Sequence, residues 1–292
     1  SVRGTVMKEY EIGLYEKAIR NSLSWKEKLL CAKECGYDYL ELCVDASDER
    51  IARIYMSREE RFELLELMYE TKLPIRSMSV SALTKYALGD PDKKIREKGM
   101  EILEGSIHLA ADLGIRTVMI PGYDIYYGES TIQTKQFFLE NIKKAAEITE
   151  KEGVLIGFET MENDFMNTVG KAMKYVRLVD SSYLKVYPDA GNITNAGVKL
   201  QQDVCEDMLL GKGNMIALHL KETRPGVFRE VPFLTGHVDF EAIIHMAWNM
   251  GIRRYVTELW DVGQDDWKEA ICFANQSMRC ILDKQSEMED RK

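Results

Sequence analysis

No apolar run in the 292-residue sequence reaches the roughly 18 residues needed to span a membrane, and the N-terminal stretch carries no signal-peptide core. Cysteine is sparse, at six, with no C-x-x-C pair and no compact disulfide framework. Cys31 and Cys35, at i,i+4 on an expected helix, therefore read as buried free thiols, and a reducing cytoplasm is the expected compartment. Basic charge is also short: 39 Lys and Arg against 48 Asp and Glu give a net charge of −9. That balance argues against nucleic acid or an anionic membrane as a partner, although a local pocket can still bind a small anion. No long Pro/Gly/Ser linker and no low-complexity segment interrupts the chain, which reads as one domain over 1–292, with residues 1–6 (SVRGTV) a disordered start.

What is present is a repeated unit: an amphipathic helix, a glycine, then a short apolar run. SWKEKLLCAKECG has Ser24 as N-cap with Glu27 completing a capping box and Gly36 at the stop, and YLELCV follows. DPDKKIREKGMEILEGSIHLAADLG takes Asp90 as cap, Pro91 as first helical residue and Gly114 as stop, before TVMIPG. The helix around KQFFLENIKKAAEITEKEG ends at Gly153 and runs into VLIGFE, and DFEAIIHMAWNMG ends at Gly251 before RYVTELW. EIGLY, IRSMSVS, LKVYPDA and MIALHL supply the remaining runs, about eight strands in all. Continuous apolar strands are covered on both faces, which implies a parallel sheet. Eight β–α units in this length match a closed (β/α)8 TIM barrel. An open doubly wound sheet is the alternative, and no G-x-G-x-x-G follows the first strand to support it.

In a barrel of this kind, chemistry sits at the C-terminal strand ends. Four consecutive runs end in a metal-ligand type: Glu159, Asp189, His219 and Glu258, spaced as successive β–α units. Taken singly, each is ordinarily a helix cap, a solvated charge or a core histidine. Together they predict an oxygen-rich site for one divalent ion: Mn²⁺ or Mg²⁺, with Zn²⁺ and Co²⁺ also suited. Arg224, with Lys17 and Arg229 behind it, is the candidate anion-binding residue, since a guanidinium can bind an anion such as phosphate bidentately, and a surface ion pair is its ordinary alternative. Tyr15, Tyr123 and Trp260 are candidate pocket walls. Of the other histidines, His237 is a candidate substrate contact, whereas His108 and His245 fall inside amphipathic helices. GKG at 211–213 resembles a phosphate loop but precedes its strand, on the wrong face.

GLYEKA (13–18), GYDIYY (122–127), AGNIT (190–194), HLKETRPGVF (219–228), VPF…VDF (231–240) and VTELW (256–260) resemble the L-ribulose-5-phosphate 3-epimerases, also called L-xylulose-5-phosphate 3-epimerases. The similarity covers about residues 9–283. It implies a divalent metal on Glu159, Asp189, His219 and Glu258, with Glu159 and Glu258 exchanging the C3 proton of a small-molecule ketose phosphate. Asn192, within AGNIT, joins the substrate-binding candidates. Two stretches depart from the family: ALTK (82–85) puts Leu83 in a histidine position, and LTG (234–236) puts Leu234 and Thr235 where Gly-Glu stands. These departures touch substrate identity rather than metal chemistry. An epimerase, isomerase or dehydratase for an unphosphorylated sugar stays open, as does a non-catalytic sugar-binding protein. A nuclease of the same superfamily would need more histidines and a basic groove. The sequence does not name the oligomer, and a homodimer is one candidate assembly.

Overall fold

The computed structural model describes residues 9–291; the start at 1–6, expected to be disordered, lies outside them. The strands are β1 (Glu11–Tyr15), β2 (Tyr39–Cys43), β3 (Ile75–Ser79), β4 (Thr117–Pro121), β5 (Leu155–Glu159), β6 (Leu184–Val186), β7 (Leu218–Leu220) and β8 (Arg254–Thr257). The helices are α1 (Trp25–Glu34), α2 (Asp48–Ile51), α3 (Arg58–Thr71), α4 (Lys93–Leu113) and α5 (Ile132–Glu152). They continue with α6 (Val169–Val179), α7 (Ala190–Leu200), α8 (Val204–Leu209), α9 (Phe240–Asn249) and α10 (Trp267–Glu289). Every ladder is parallel, in the order β6-β5-β4-β3-β2-β1-β8-β7. The barrel closes between β6 and β7 through two single parallel bridges, Val186 to Met215 and Asp189 to His219. The register slips by one residue between them, and such a bulge re-aims side chains. The seam therefore puts Asp189 opposite His219.

The strands are covered on both faces, as their apolar runs predict, yet the two faces differ. Period-two alternation sends Ile156, Phe158, Leu218, Leu220 and Tyr255 outward into the main core against the helices. The opposite parity builds a smaller core inside the barrel: Tyr15, Tyr39, Cys43, Met119, Tyr187, Ala217 and Val256. Two glycines make room for its aromatic rings. A Cβ on Gly13 would lie 2.3 Å from the Tyr39 ring, and one on Gly157 would lie 2.9 Å from Tyr187 Cβ. The inward parity, continued toward the C-terminal strand ends, gives Glu159, Asp189, His219 and Glu258.

Helix ends follow the sequence closely. Ser24 and Glu27 form the reciprocal capping box, and Gly36, Gly114, Gly153 and Gly251 all take positive φ just past their helices. The start of α4 is a correction. Asp90 spends its carboxylate on the Asp92 N–H in a tight turn, and Asp92 becomes the cap, so the helix begins two residues past Pro91. The cysteines are a second correction. Cys31 is a buried free thiol, but Cys35 is bonded to Cys272, with Cα atoms 4.6 Å apart. The N-terminal turn of α10 packs beside the end of α1, a proximity that spacing along the chain does not reveal.

Candidate metal centre

Glu159 is the last residue of β5, His219 the middle of β7, and Glu258 directly follows β8. The Glu258 N–H extends the β7–β8 ladder by donating to the Leu220 carbonyl at 2.9 Å, which holds the residue in register beyond its strand. Asp189 caps α7: its Oδ1 accepts the Asn192 N–H at 2.8 Å. All four side chains are buried, and their donor atoms lie within 4.8 Å of one another. From His219 Nδ1 it is 2.7 Å to Glu258, 3.6 Å to Glu159 and 3.9 Å to Asp189 Oδ2.

Asp189 Oδ2 is buried and makes no hydrogen bond among the described residues. A buried carboxylate oxygen left unmatched is costly, and such groups are rare in native proteins. A divalent cation among three carboxylates and an imidazole nitrogen would match it, so the donor set fits the expected ion. The protein's own cation here is Lys221. Its buried Nζ donates to Asn192 Oδ1 at 2.7 Å and lies 3.4 Å from Asp189 Oδ2. Burial, reinforced by the neighbouring Glu258, pushes Glu159 well above the ordinary carboxylate range. Burial likewise lifts Asp189, to about 7. For Glu258 burial also acts upward, but Lys221 and His219 outweigh it and hold this carboxylate below its ordinary value. The two glutamates are thus electrostatically unlike.

The remaining candidates scatter around this centre. Tyr15 stands edge-on to His219, with ring centres 5.9 Å apart, and to Trp260 at 6.0 Å. The Arg229 guanidinium lies 5.2 Å from the Trp260 ring and Lys221 Nζ 5.9 Å from it. Tyr123 is buried against Tyr126. Asn192 commits its amide to the Thr160 carbonyl and Lys221. Lys17 is ion-paired with Asp45 at 3.1 Å. Arg224 is exposed and donates to Thr235 Oγ1 at 3.3 Å. His237 bonds to Thr223 Oγ1, His245 to Gln285, and His108 faces Glu104 and Glu152, all away from the four-residue cluster. Of the departing positions, Leu83 is buried in the main core, and Leu234 is exposed at φ +68.

Sequence reasoning missed two residues. One is Lys221. The other is Glu41 in β2, wholly buried and 2.5 Å from His219 Nε2. The available signal was parity: in YLELCV the glutamate occupies an inward position of an apolar strand.

A family model described as the xylose isomerase-like TIM barrel matches residues 30–276. The putative L-ribulose-5-phosphate 3-epimerase SgbU of Escherichia coli K12 is 37% identical over 282 residues, covering 94% of this chain and 96% of that protein. The L-ribulose-5-phosphate 3-epimerase UlaE of Shigella boydii is 35% identical over 260 residues, covering 89% and 90%. Among solved structures, an L-ribulose 3-epimerase superposes with a TM-score of 0.78 at 16% identity, covering 96% of this chain and 97% of that one. A xylose isomerase-like barrel protein from Mycobacterium smegmatis in complex with magnesium gives 0.71 at 16%, covering 94% and 97%. Both share the fold. By its sequence relatives, its matching family model and its barrel, the chain belongs to the L-ribulose-5-phosphate 3-epimerase family of isomerases, within the xylose isomerase-like TIM barrels.

Proposed function

We propose that this protein interconverts L-xylulose 5-phosphate and L-ribulose 5-phosphate by epimerisation at C3, on a single barrel. The observation that carries the reading is the convergence of Glu159, Asp189, His219 and Glu258 within 4.8 Å at the strand ends, in a chain of this family. Inverting C3 of a 2-ketose means removing a proton beside the carbonyl and returning one to the opposite face. Glu159, Asp189, His219 and Glu258 would hold a divalent ion of Mn, Mg, Zn or Co, and such an ion supplies Lewis-acid stabilisation of the enediolate charge, worth several kcal/mol. Glu159 and Glu258 serve as the acid and base, one toward each face, a pairing that suits two carboxylates held in unlike protonation environments. Lys221 adds fixed positive charge beside the developing oxyanion. Tyr15, Tyr123 and Trp260 wall off water, and Asn192 anchors Lys221.

Arg224 binds the phosphate. It is the cation of the loop after β7 whose side chain has, among the described residues, only a neutral hydroxyl as hydrogen-bond partner. Lys17, by contrast, is already neutralised by Asp45. That pairing, with Leu83 and Thr235 at the departing positions, favours the second reading, an unphosphorylated ketose as substrate. One experiment separates the two: metal-loaded enzyme assayed on the 5-phosphate and on the free ketopentose, with Arg224→Ala alongside. The phosphate reading predicts turnover of the ester and a KM raised at least tenfold in the variant for that substrate alone. Equal effects on both sugars, or turnover of the free sugar only, would remove Arg224 from phosphate binding.

A further inference from the structure

Glu41 lies in the middle of β2, on the far side of the barrel from the seam that joins Asp189 to His219, and no solvent reaches it. Its Oε2 accepts two hydroxyl donors, Ser77 at 2.6 Å and Tyr187 at 2.7 Å. Ser77 is held in turn by the Thr117 hydroxyl at 3.3 Å. Its Oε1 meets His219 Nε2 at 2.5 Å. A carboxylate oxygen can only accept, so in the Oε1 contact the donor is the ring N–H at Nε2. Nδ1 meets Glu258 at 2.7 Å and faces Glu159 and Asp189; with the proton on Nε2, its lone pair would be the one offered to an ion held among those carboxylates.

We propose that Glu41 is a positioning residue: it fixes His219 in the Nε2–H tautomer and in the ring orientation that presents Nδ1 to the divalent ion. Ser77 and Tyr187 act one step further out, by orienting Glu41. The inference rests on the metal reading of the four-residue cluster. It also assigns a purpose to the polar layer of Glu41, Ser77, Thr117 and Tyr187 inside an otherwise apolar barrel. Three of its members stand on β2, β3 and β4, strands that carry none of the four proposed ligands, and Tyr187 follows β6, so the imidazole is braced from across the barrel axis. Partners of this type commonly set metal affinity, and their loss weakens binding by about 10–100-fold.

The test measures Mn²⁺ affinity of metal-free protein by electron paramagnetic resonance, for wild type, Glu41→Ala, Glu41→Gln and Tyr187→Phe. Circular dichroism checks folding of each. Glu41→Ala should weaken binding by about 10–100-fold. Glu41→Gln, whose carbonyl can still accept from Nε2–H, should recover part of that loss, and Tyr187→Phe should fall between Glu41→Gln and wild type. A purely structural role would lower the melting temperature and leave the affinity of the folded variants alone. Independently, ¹⁵N–¹H correlation spectra of the Zn²⁺-loaded wild type should show the His219 proton on Nε2 and the metal-shifted nitrogen at Nδ1. That spectrum keeps the test decisive if Glu41→Ala does not fold. Folded Glu41→Ala binding Mn²⁺ within twofold of wild type, or a proton found on Nδ1, overturns the proposal while leaving the metal site standing. A wild type that binds neither Mn²⁺ nor Zn²⁺ removes the metal reading and this inference with it.

Discussion

The two oxygens of Asp189 are used differently: Oδ1 caps α7 through the Asn192 N–H, while Oδ2 is turned into the four-residue cluster, 3.4 Å from Lys221 Nζ, and makes no hydrogen bond among the described residues. The ordinary reading of a strand-end aspartate, a helix cap, holds for Oδ1, and the proposed ligand role falls to Oδ2 of the same side chain. They separate by substitution. Asp189→Asn keeps a capping oxygen but replaces a ligand oxygen with an NH₂. It should lose at least about tenfold in divalent-metal affinity while the metal-free protein unfolds within about 1 kcal/mol of wild type. Asp189→Ala loses the cap as well and should cost about 1 kcal/mol more. Titration calorimetry and urea unfolding read the two effects apart, and an Asn variant with intact metal affinity would leave Asp189 as a cap only. At this scale the sequence was most legible where a residue's chemistry is unusual for its place, as with His219 ending an apolar run. Glu41 and Lys221 were harder to see. Each acquires its role from partners far along the chain, and Glu41 and His219 are 178 positions apart.

Between elements, the junction of β1, α1, β2 and α2 turns on Glu16, a fully buried carboxylate in the short turn after β1. It accepts Lys28 Nζ at 2.7 Å, Arg53 at 2.6 and 2.8 Å and the Cys43 N–H at 2.9 Å, with Arg50 at 3.1 Å. Burial alone would raise its pKa, but Arg53 foremost, then Arg50 and Lys28, bring it down to about 2 from 4.5. A folded-state pKa below the unfolded one contributes stability that is full above about pH 4.5 and disappears as pH falls toward 2. The depression corresponds to about 3 kcal/mol. Glu16→Gln should therefore lose about that much at pH 7, and the gap to wild type should shrink steadily in urea titrations between pH 4.5 and 2. A gap independent of pH would mean that packing, not charge, holds the junction. The elements themselves could be read from caps and stops, because Ser24, Glu27 and the C-terminal glycines act within a few residues. The start of α4 was misplaced because Asp90 and Asp92 are equally good caps in sequence, and only the Asx turn at Asp90 decides between them.

In the whole molecule, long-range closure is made by the β1–β8 ladder, where Glu11 stands opposite Arg254, and by the Cys35–Cys272 bond, which spans 237 residues. Eight β–α repeats imply the first. The second depends on how α10 returns to α1, which no local pattern encodes. A cross-link closing so long a loop typically adds about 2–4 kcal/mol. Reduction should lower the unfolding free energy by that amount and leave metal affinity unchanged, since the bond lies among the outer helices. Thiol titration of the unreduced, denatured protein should count four reactive cysteines, and a count of six would rule out the bond. No helix of the described residues is long and apolar enough to cross a membrane. The barrel's main consequence is that strands β5 and β8 bring two glutamates to one centre from different sides, and the central claim is that these two move the C3 proton. Nuclear magnetic resonance in deuterium oxide tests it most directly, following solvent deuterium into C3 of the ketopentose 5-phosphate with wild type, Glu159→Gln and Glu258→Gln, each at measured metal occupancy. The wild type should exchange the C3 proton and interconvert the epimers. Each metal-retaining variant should lose epimerisation by roughly 10²–10⁴-fold, with exchange surviving for one epimer only. A Gln variant that holds its metal and epimerises at near the wild-type rate would contradict the two-glutamate mechanism.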